Sequence, residues 1–409
     1  MKILHILSQM PDFTGSGKTV QAVIRQARAK GHENFLVAGV QDGFKPDSSL
    51  ISRERTCFLE FNGRDLDFPL PGMSDVMPYP STVFSAMTPE QLAAYEAGFE
   101  TLLIRARAQF KPDIIHSHHL WIVSKIARRV FERIPMVTSC HGTCLRQFAL
   151  CPGLGQAVQA AVSGIDAILC LSRHQKEAVR SIHKVDLEKL HVVGGGFDRD
   201  LFFPGPKPDK GPVQMVYAGK LSRAKGVPWL LRSLKQVQQA DFRLHLAGSG
   251  SGEEFHESLA LAAQLGKKVK VHGPLSHRDL ADLMRKSHLF VLPSFFEGLP
   301  LVLMEALSSG CRLLTTDLPG ACEILGDHLS DMVDLVRLPP LETVDTPFDR
   351  DWPALERDLA QALDRAIRKA AACRQPDLAQ ADKISQAYTW EKVFSRMESV
   401  YEQVVQQTS

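Results

Sequence analysis

The chain has 409 residues, enough for two or three domains, and its 44% hydrophobic and 23% charged content is ordinary for a soluble globular protein. A formal net charge of +2 is too balanced to announce nucleic acid or an acidic polymer as partner. No apolar run reaches the ~18 residues of a membrane span, the start Met1–Ser8 is too short for a signal peptide, and eight scattered cysteines without a CxxC read as reduced thiols. A cytoplasmic protein is expected, with peripheral contact to a membrane left open.

Ile3 to Leu7 reads as a strand, Gln9 to Thr19 as a loop, and Val20, Val23, Ile24 and Ala27 as the apolar face of a helix that Gly31-His32 ends. Asn34 to Val40 is a second strand. This βαβ opening predicts a parallel α/β class. Gly17-Lys18-Thr19 suggests a P-loop, but the Gly that motif needs five residues earlier is Asp12. The better reading is a loop in which Gly15 and Gly17 let backbone approach a ligand at the strand end. Residues 41–90 read as irregular. Asp65-Leu66-Asp67 looks like a metal-carrying DxD, yet no strand leads into it, so a surface loop is expected.

Thr88-Pro89-Glu90-Gln91 is a capping box that opens a helix to about Phe110. Asp113 to His116 is a strand that runs into Ser117-His118-His119. Alternation puts His116 and His118 on one face. No carboxylate is near in sequence, so His118 is expected to line a ligand crevice rather than bind metal. Leu120 to Ile134 is a basic amphipathic helix carrying Lys125, Arg128, Arg129 and Arg133, and a solvated basic face is favoured over a lipid contact. Pro135 to Ser139 is a strand ending in Cys140-His141-Gly142-Thr143-Cys144. With Cys151 these match no zinc spacing, so His141 reads as a crevice side chain. Asp166 to Leu171 and Leu190 to Val193 are strands, with a helix capped by Ser172 between them.

Residues 202–212, with four prolines and two glycines, read as an interdomain linker. The pattern then restarts: strands at 213–218, 242–247, 268–273, 288–292 and 311–316, helices at 229–237 and from Ser276, and a helix at Cys322-Glu323-Ile324-Leu325. Residues 338–353 form a second Pro-rich break, and a helix through Val393, Phe394, Met397, Val400 and Tyr401 closes the chain. The expected domains are 1–204, completed by 385–409, and 205–384.

The stretch Pro293 to Leu307 carries the most chemistry. Glu297 lies on a loop after a buried strand, Pro300 suits the first turn of the next helix, and Glu305 lies inside that helix. Lys220 and Lys225 flank a loop that a parallel sheet sets at the same edge. Two ammonium groups and a helix N-terminus would then converge into a diphosphate site that uses no metal. Two carboxylates beside it suit neutral hydroxyls, as on ribose and sugars. Glycosyl transfer fits these parts. A sugar-nucleotide epimerase on the same fold and a non-catalytic nucleotide-sugar binder are the alternatives, but the sequence names no added acid/base pair and no disabled motif.

Nearly the whole chain closely resembles the retaining glycosyltransferases of family 4. Glu297-Gly298-Leu299-Pro300-Leu301-Val302-Leu303-Met304-Glu305 is similar to their Glu-x7-Glu motif, and Ala218-Gly219-Lys220-Leu221-Ser222 with Lys225-Gly226 to their diphosphate loop. His141-Gly142, Thr14-Gly15-Ser16-Gly17 and Tyr388-Thr389-Trp390 have counterparts as well. The resemblance implies a GT-B fold: two Rossmann-like parallel-sheet domains facing across a cleft, with a C-terminal helix crossing back. It implies a nucleotide-sugar donor, a saccharide, lipid-linked or small-molecule acceptor, and no metal or other cofactor. It makes Glu297, His141 and Lys225 the catalytic group. Donor binding falls to Gly15, Gly17, Lys220, Lys225, Gly298, Leu299, Pro300, Leu301 and Glu305, with Glu297 on the sugar and Glu305 on the ribose. Two departures stand out. Lys220 replaces the usual Arg, which loses a bidentate phosphate contact, and Pro319-Gly320-Ala321-Cys322-Glu323 replaces a Gly-Gly before the later Glu.

Overall fold

The computed structural model describes residues 1–408 apart from 13, 75–76, 239–240 and 327–331. They form two compact units, Met1–Gly195 with Trp390–Ser409, and Gly196–Thr389. The change of unit thus comes earlier than the Pro-rich linker suggested. Phe197 N–H bonds Tyr388 O at 2.9 Å, and Phe202 is 1% exposed in the core of the second unit. Lys207, inside the supposed linker, is buried and donates its ammonium protons to Ser287 O and Ser309 O. A Pro-rich composition marks a stretch that makes no helix or central strand; it does not keep that stretch from packing.

The first unit holds a seven-stranded sheet. From edge to edge the strands are Thr56–Phe61, Glu33–Gln41, Lys2–Leu7, Ile114–Ser117, Met136–Ser139, Ala167–Cys170 and Leu190–Val192. Every pairing is parallel. Its central strands are buried on both faces, which is why they read as nearly continuous apolar runs. Thr56–Phe61 corrects the expectation that 41–90 is irregular. Cys57, Leu59 and Phe61 point inward and alternate with more exposed neighbours, the pattern of an edge strand. The Asp65 carboxylate closes the following turn on Glu60 N–H at 2.9 Å, so the DxD is a surface turn.

The basic helix is shorter than its sequence pattern, Ile122–Val130. Its cations meet carboxylates: Lys125 with Glu96 at 2.7 Å, Arg129 with Glu100 at 2.9 Å and Arg128 with Asp166 at 3.2 Å. Most of the basic face is therefore paired within the protein rather than offered to lipid. No described helix is long and apolar enough to cross a membrane. The C-terminal helix Trp390–Thr408 completes this unit. Val393, Phe394, Met397, Val400 and Tyr401 pack on Ile3, Val23, Ala27 and Ile114.

The second unit holds a six-stranded parallel sheet: Val269–Gly273, Phe242–Ala247, Val213–Ala218, Leu289–Leu292, Arg312–Thr316 and Val333–Val336. Five helices were absent from the sequence reading: Gly142–Leu150, Pro152–Val162, Gly252–Gln264, Trp352–Ala372 and Ala379–Gln386. Three of them start at a Gly or Pro, residues that read as breaks but also stand at helix starts. The fourth begins at Trp352, next to Pro353, inside the stretch taken for a loop.

Candidate active site

In the second unit two loops at the C-terminal edge of the sheet are locked together by backbone. Gly226 has φ +68°, and a Cβ there would lie 1.8 Å from Pro293 O. Phe295 N–H donates to Ala224 O at 2.9 Å. Only glycine permits both this φ and this approach. The contact sets Lys225 beside the stretch that follows strand Leu289–Leu292. Lys225 Nζ lies 2.8 Å from Glu297 Oε2 and 3.2 Å from Phe296 O. The other carboxylate oxygen of Glu297 accepts from Ser294 Oγ at 2.7 Å. Ser294 is fully buried, and its own carbonyl accepts from Thr316 Oγ1 at 2.7 Å. The carboxylate, 15% exposed, is thus fixed by a cation on one oxygen and a hydroxyl on the other.

Lys220 lies on the same loop, exposed, with its carbonyl held by Tyr217 O–H at 2.7 Å. Glu305 is half-buried in the first turn of helix Val302–Ser308. Pro300 stands before the cap residue Leu301 rather than inside the helix. Leu301 N–H already donates to Leu299 O at 2.9 Å, so in the ligand-free chain this amide is not open to a phosphate. Nothing stands within 4 Å of where a Cβ of Gly298 would be. The structure therefore joins Lys225 and Glu297 directly and keeps Lys220 and Gly298 on the same pair of loops, with Glu305 in the helix that follows the second. Ser294 and Thr316 were missed. Their signal was a Ser three residues before the loop Glu and a Thr at the end of the neighbouring strand.

In the first unit the Gly-rich loop follows strand Lys2–Leu7. Thr14 Oγ1 caps helix Gly15–Ala29 by accepting from Gly17 N–H at 3.0 Å. A Cβ at Gly17 would stand 2.9 Å from Met10 O and Pro11 O, so the helix start can close on the loop only with glycine there. Gly15 faces open space. His141 caps the helix Gly142–Leu150 that follows strand Met136–Ser139. Its ring stands edge-on to that of His119, 5.2 Å away, and its Nε2 is enclosed without a hydrogen-bond partner. Burial lowers its pKa to about 4, so the imidazole is neutral near pH 7.

His118 does not line a crevice in this structure. It is fully buried, as are His5 and His116. Asn34 Nδ2 donates to His32 O at 3.0 Å, which turns its Oδ1 toward His5 Nε2 at 2.9 Å. His5 Nδ1 then accepts from His118 Nε2–H at 3.2 Å, and His118 Nδ1 is left as an unpartnered lone pair. His116 bonds Ser139 Oγ at 2.8 Å and Tyr401 O–H at 2.7 Å. One nitrogen from each of His5, His116 and His118 lies within 4.8 Å of the others. Yet the His116 and His118 rings stack at 3.8 Å, and all but one of the six nitrogens already has a protein partner. The cluster is a hydrogen-bonded spine between sheet and C-terminal helix.

Comparison with known proteins agrees with this layout. The family model described as Glycosyltransferase Family 4 matches residues 13–201, and that of Glycosyl transferases group 1 matches residues 198–333. The glycogen synthase of Mycobacterium tuberculosis is 24% identical over 98% of this chain and 94% of its own length. The D-inositol 3-phosphate glycosyltransferase of Xylanimonas cellulosilytica is 27% identical over 77% of each. Among solved structures, sucrose-phosphate synthase from Thermosynechococcus elongatus superposes with a TM-score of 0.71 at 17% identity, covering 100% of both chains. HepE from Anabaena, solved in complex with UDP and glucose, gives 0.69 at 16% identity, covering 98% of this chain and 100% of its own. Two matched family models that together run from residue 13 to 333, full-length relatives, and the GT-B architecture of two Rossmann-like units lead to one conclusion: the chain belongs to the family 4 glycosyltransferases.

Proposed function

We propose that the protein moves a sugar from a nucleoside-diphosphate sugar to a hydroxyl acceptor, with retention of the anomeric configuration and without a metal. The donor sits on the second unit and the acceptor is chosen by the first. The observation that carries this reading is the Ser294–Glu297–Lys225 arrangement. A carboxylate beside a lysine in a partly enclosed loop suits a ligand that is anionic at one end and hydroxylated at the other. Lys225 has three N–H donors. Two are used by Glu297 and Phe296 O, and the third serves a phosphate oxygen. Lys220, exposed on the same loop, adds a second ammonium group.

Glu297 holds lone pairs for sugar hydroxyls, and Glu305 accepts from the ribose hydroxyls. His141, neutral near pH 7, hydrogen-bonds the donor sugar or its phosphate. As the bond from the anomeric carbon to the phosphate oxygen breaks, Lys220 and Lys225 stabilise the negative charge that grows on the leaving diphosphate. The acceptor oxygen bonds the same face of the anomeric carbon, and its proton passes to a phosphate oxygen. Glu297 binds and orients; it takes no proton. That HepE is solved with UDP and with UDP-glucose supports a uridine nucleotide as the first donor to try.

The test is nucleoside-diphosphate release from UDP-, GDP- and ADP-glucose in EDTA, with and without a panel of saccharide and polyol acceptors. Acceptor-dependent release in EDTA, with an α-linked product by NMR, is expected. Release that only a divalent ion restores contradicts the metal-free step, and a β-linked product contradicts retention.

A further inference from the structure

Cys140 and Cys144 have no part in the proposed transfer, yet they bracket His141. Cys140 ends the strand Met136–Ser139, Cys144 lies in the first turn of helix Gly142–Leu150, and both are buried. The Cys140 thiol donates to the Cys144 sulfur. Cys140 Sγ also lies 3.6 Å from His141 O, while Cys144 Sγ accepts from His141 N–H at 3.3 Å. The two sulfurs are therefore neighbours across one residue, Cys144 accepting its N–H and Cys140 facing its C=O.

They also differ in character. Burial pushes the Cys144 thiol up, but the bonds it accepts from Cys140 and from the N–H groups of His141, Leu120 and its own residue outweigh this and hold it below the ordinary thiol value. Cys140, the donor of the pair, is raised. Among the other described cysteines, Cys57 and Cys151 donate to glutamine side chains and Cys311 to backbone carbonyls. Cys170 is the one further cysteine whose sulfur interacts with this pair.

The geometry points to Cys140 and Cys144 as an oxidisable dithiol: peroxide converts them into a disulfide that displaces His141 and stops sugar transfer until a thiol reductant reopens it. The first step is attack of the Cys144 thiolate on a peroxide oxygen. The O–O bond breaks, a sulfenic acid forms, and hydroxide leaves and is protonated to water. The Cys140 sulfur then attacks the sulfenic sulfur, the S–O bond breaks, and oxygen departs with the Cys140 proton as a second water. Two thiols and one peroxide give one disulfide and two waters. Once joined, neither sulfur carries the proton or the charge that holds the His141 peptide. Access runs through the turn His141–Thr143, where Gly142 is exposed, so oxidation is slower than at the exposed Cys373.

The loss of activity rests on the proposed role of His141; the disulfide itself does not. The whole chain is treated with hydrogen peroxide, blocked with N-ethylmaleimide, digested with trypsin and weighed. Cys140 and Cys144 fall in one peptide, Ile134–Arg146, and Cys151 and Cys170 in the next, Gln147–Arg173. The expected result is the first peptide lighter by two hydrogen atoms. Sugar transfer falls in step, by roughly tenfold or more, and dithiothreitol restores it. In Cys144→Ser, which lacks the attacking thiolate, activity before and after peroxide is the same. A bond between the two peptides, or a dithiol that stays intact on prolonged exposure after Cys373 is fully oxidised, overturns the assignment. A disulfide in a fully active protein overturns the switch. A chain inactive before oxidation counts against the transferase reading instead, and the peptide mass still decides the dithiol.

Discussion

Gly226→Ala tests how the candidate site is assembled. An alanine at φ +68° pays about 1–2 kcal/mol for the left-handed conformation alone. Its Cβ would stand 1.8 Å from Pro293 O and 2.8 Å from Pro293 C, both backbone atoms that no rotamer change can clear. Relief means pulling the loop 219–226 away from the end of strand Leu289–Leu292, which breaks the Phe295–Ala224 hydrogen bond. The sum is about 3–5 kcal/mol, at the severe end for one substitution. For a unit of this size that lowers the melting temperature by roughly 6–20 °C. Differential scanning calorimetry reads it, with Gly142→Ala as the control, since nothing stands within 4 Å of where the Gly142 Cβ would be. The control should melt within about 1 °C of the parent chain. A Gly226→Ala protein that melts like the control would show that the two loops are not held together as described.

Other expectations concern single contacts. Ser294→Ala removes the hydroxyl that orients Glu297. A hydrogen bond to a charged group is worth about 1.5–3 kcal/mol, so kcat/KM should fall roughly ten- to a hundredfold with little change in melting temperature; unchanged kinetics count against an oriented Glu297. Tyr401→Phe leaves His116 Nδ1 without its partner inside a closed core, costing about 1–3 kcal/mol in chemical denaturation, and no loss would mean the hydrogen bond is not formed. Burial lowers His5 and His141 to about 4 and holds His116, His118 and His119 well below their ordinary value of 6.5. The unfolded chain then binds more protons between those values. The stability of the first unit is therefore complete above pH 6.5 and falls as the pH drops toward 4. A melting temperature flat from pH 7 to 4.5 would contradict the buried neutral spine.

The central strands and the capped helix starts were legible because parallel strands buried on both faces leave unbroken apolar runs, and because capping residues act locally. Thr88 and Gln91 form their capping box, and Ser172 and Ser276 cap their helices. Thr56–Phe61 was not legible as a strand because half of its side chains face outward and its neighbours are rich in Pro and Phe. His118 was placed by its position at a strand end, and only the fold shows that His5, from another strand, takes its proton. Lys207 is the clearest limit. A lysine between prolines reads as solvent, yet two helix C-termini supply the carbonyls that bury it.

The central claim is that loop 219–226 and the stretch 297–305 hold a nucleoside diphosphate. Titration calorimetry of UDP, GDP and ADP into the parent chain, Lys225→Met and Glu305→Ala addresses it most directly. At least one nucleotide should bind the parent chain in EDTA. Each substitution should weaken it roughly tenfold or more, the loss of one charge-assisted contact. A parent chain that binds none of the three, or variants that bind as tightly as the parent, would contradict it.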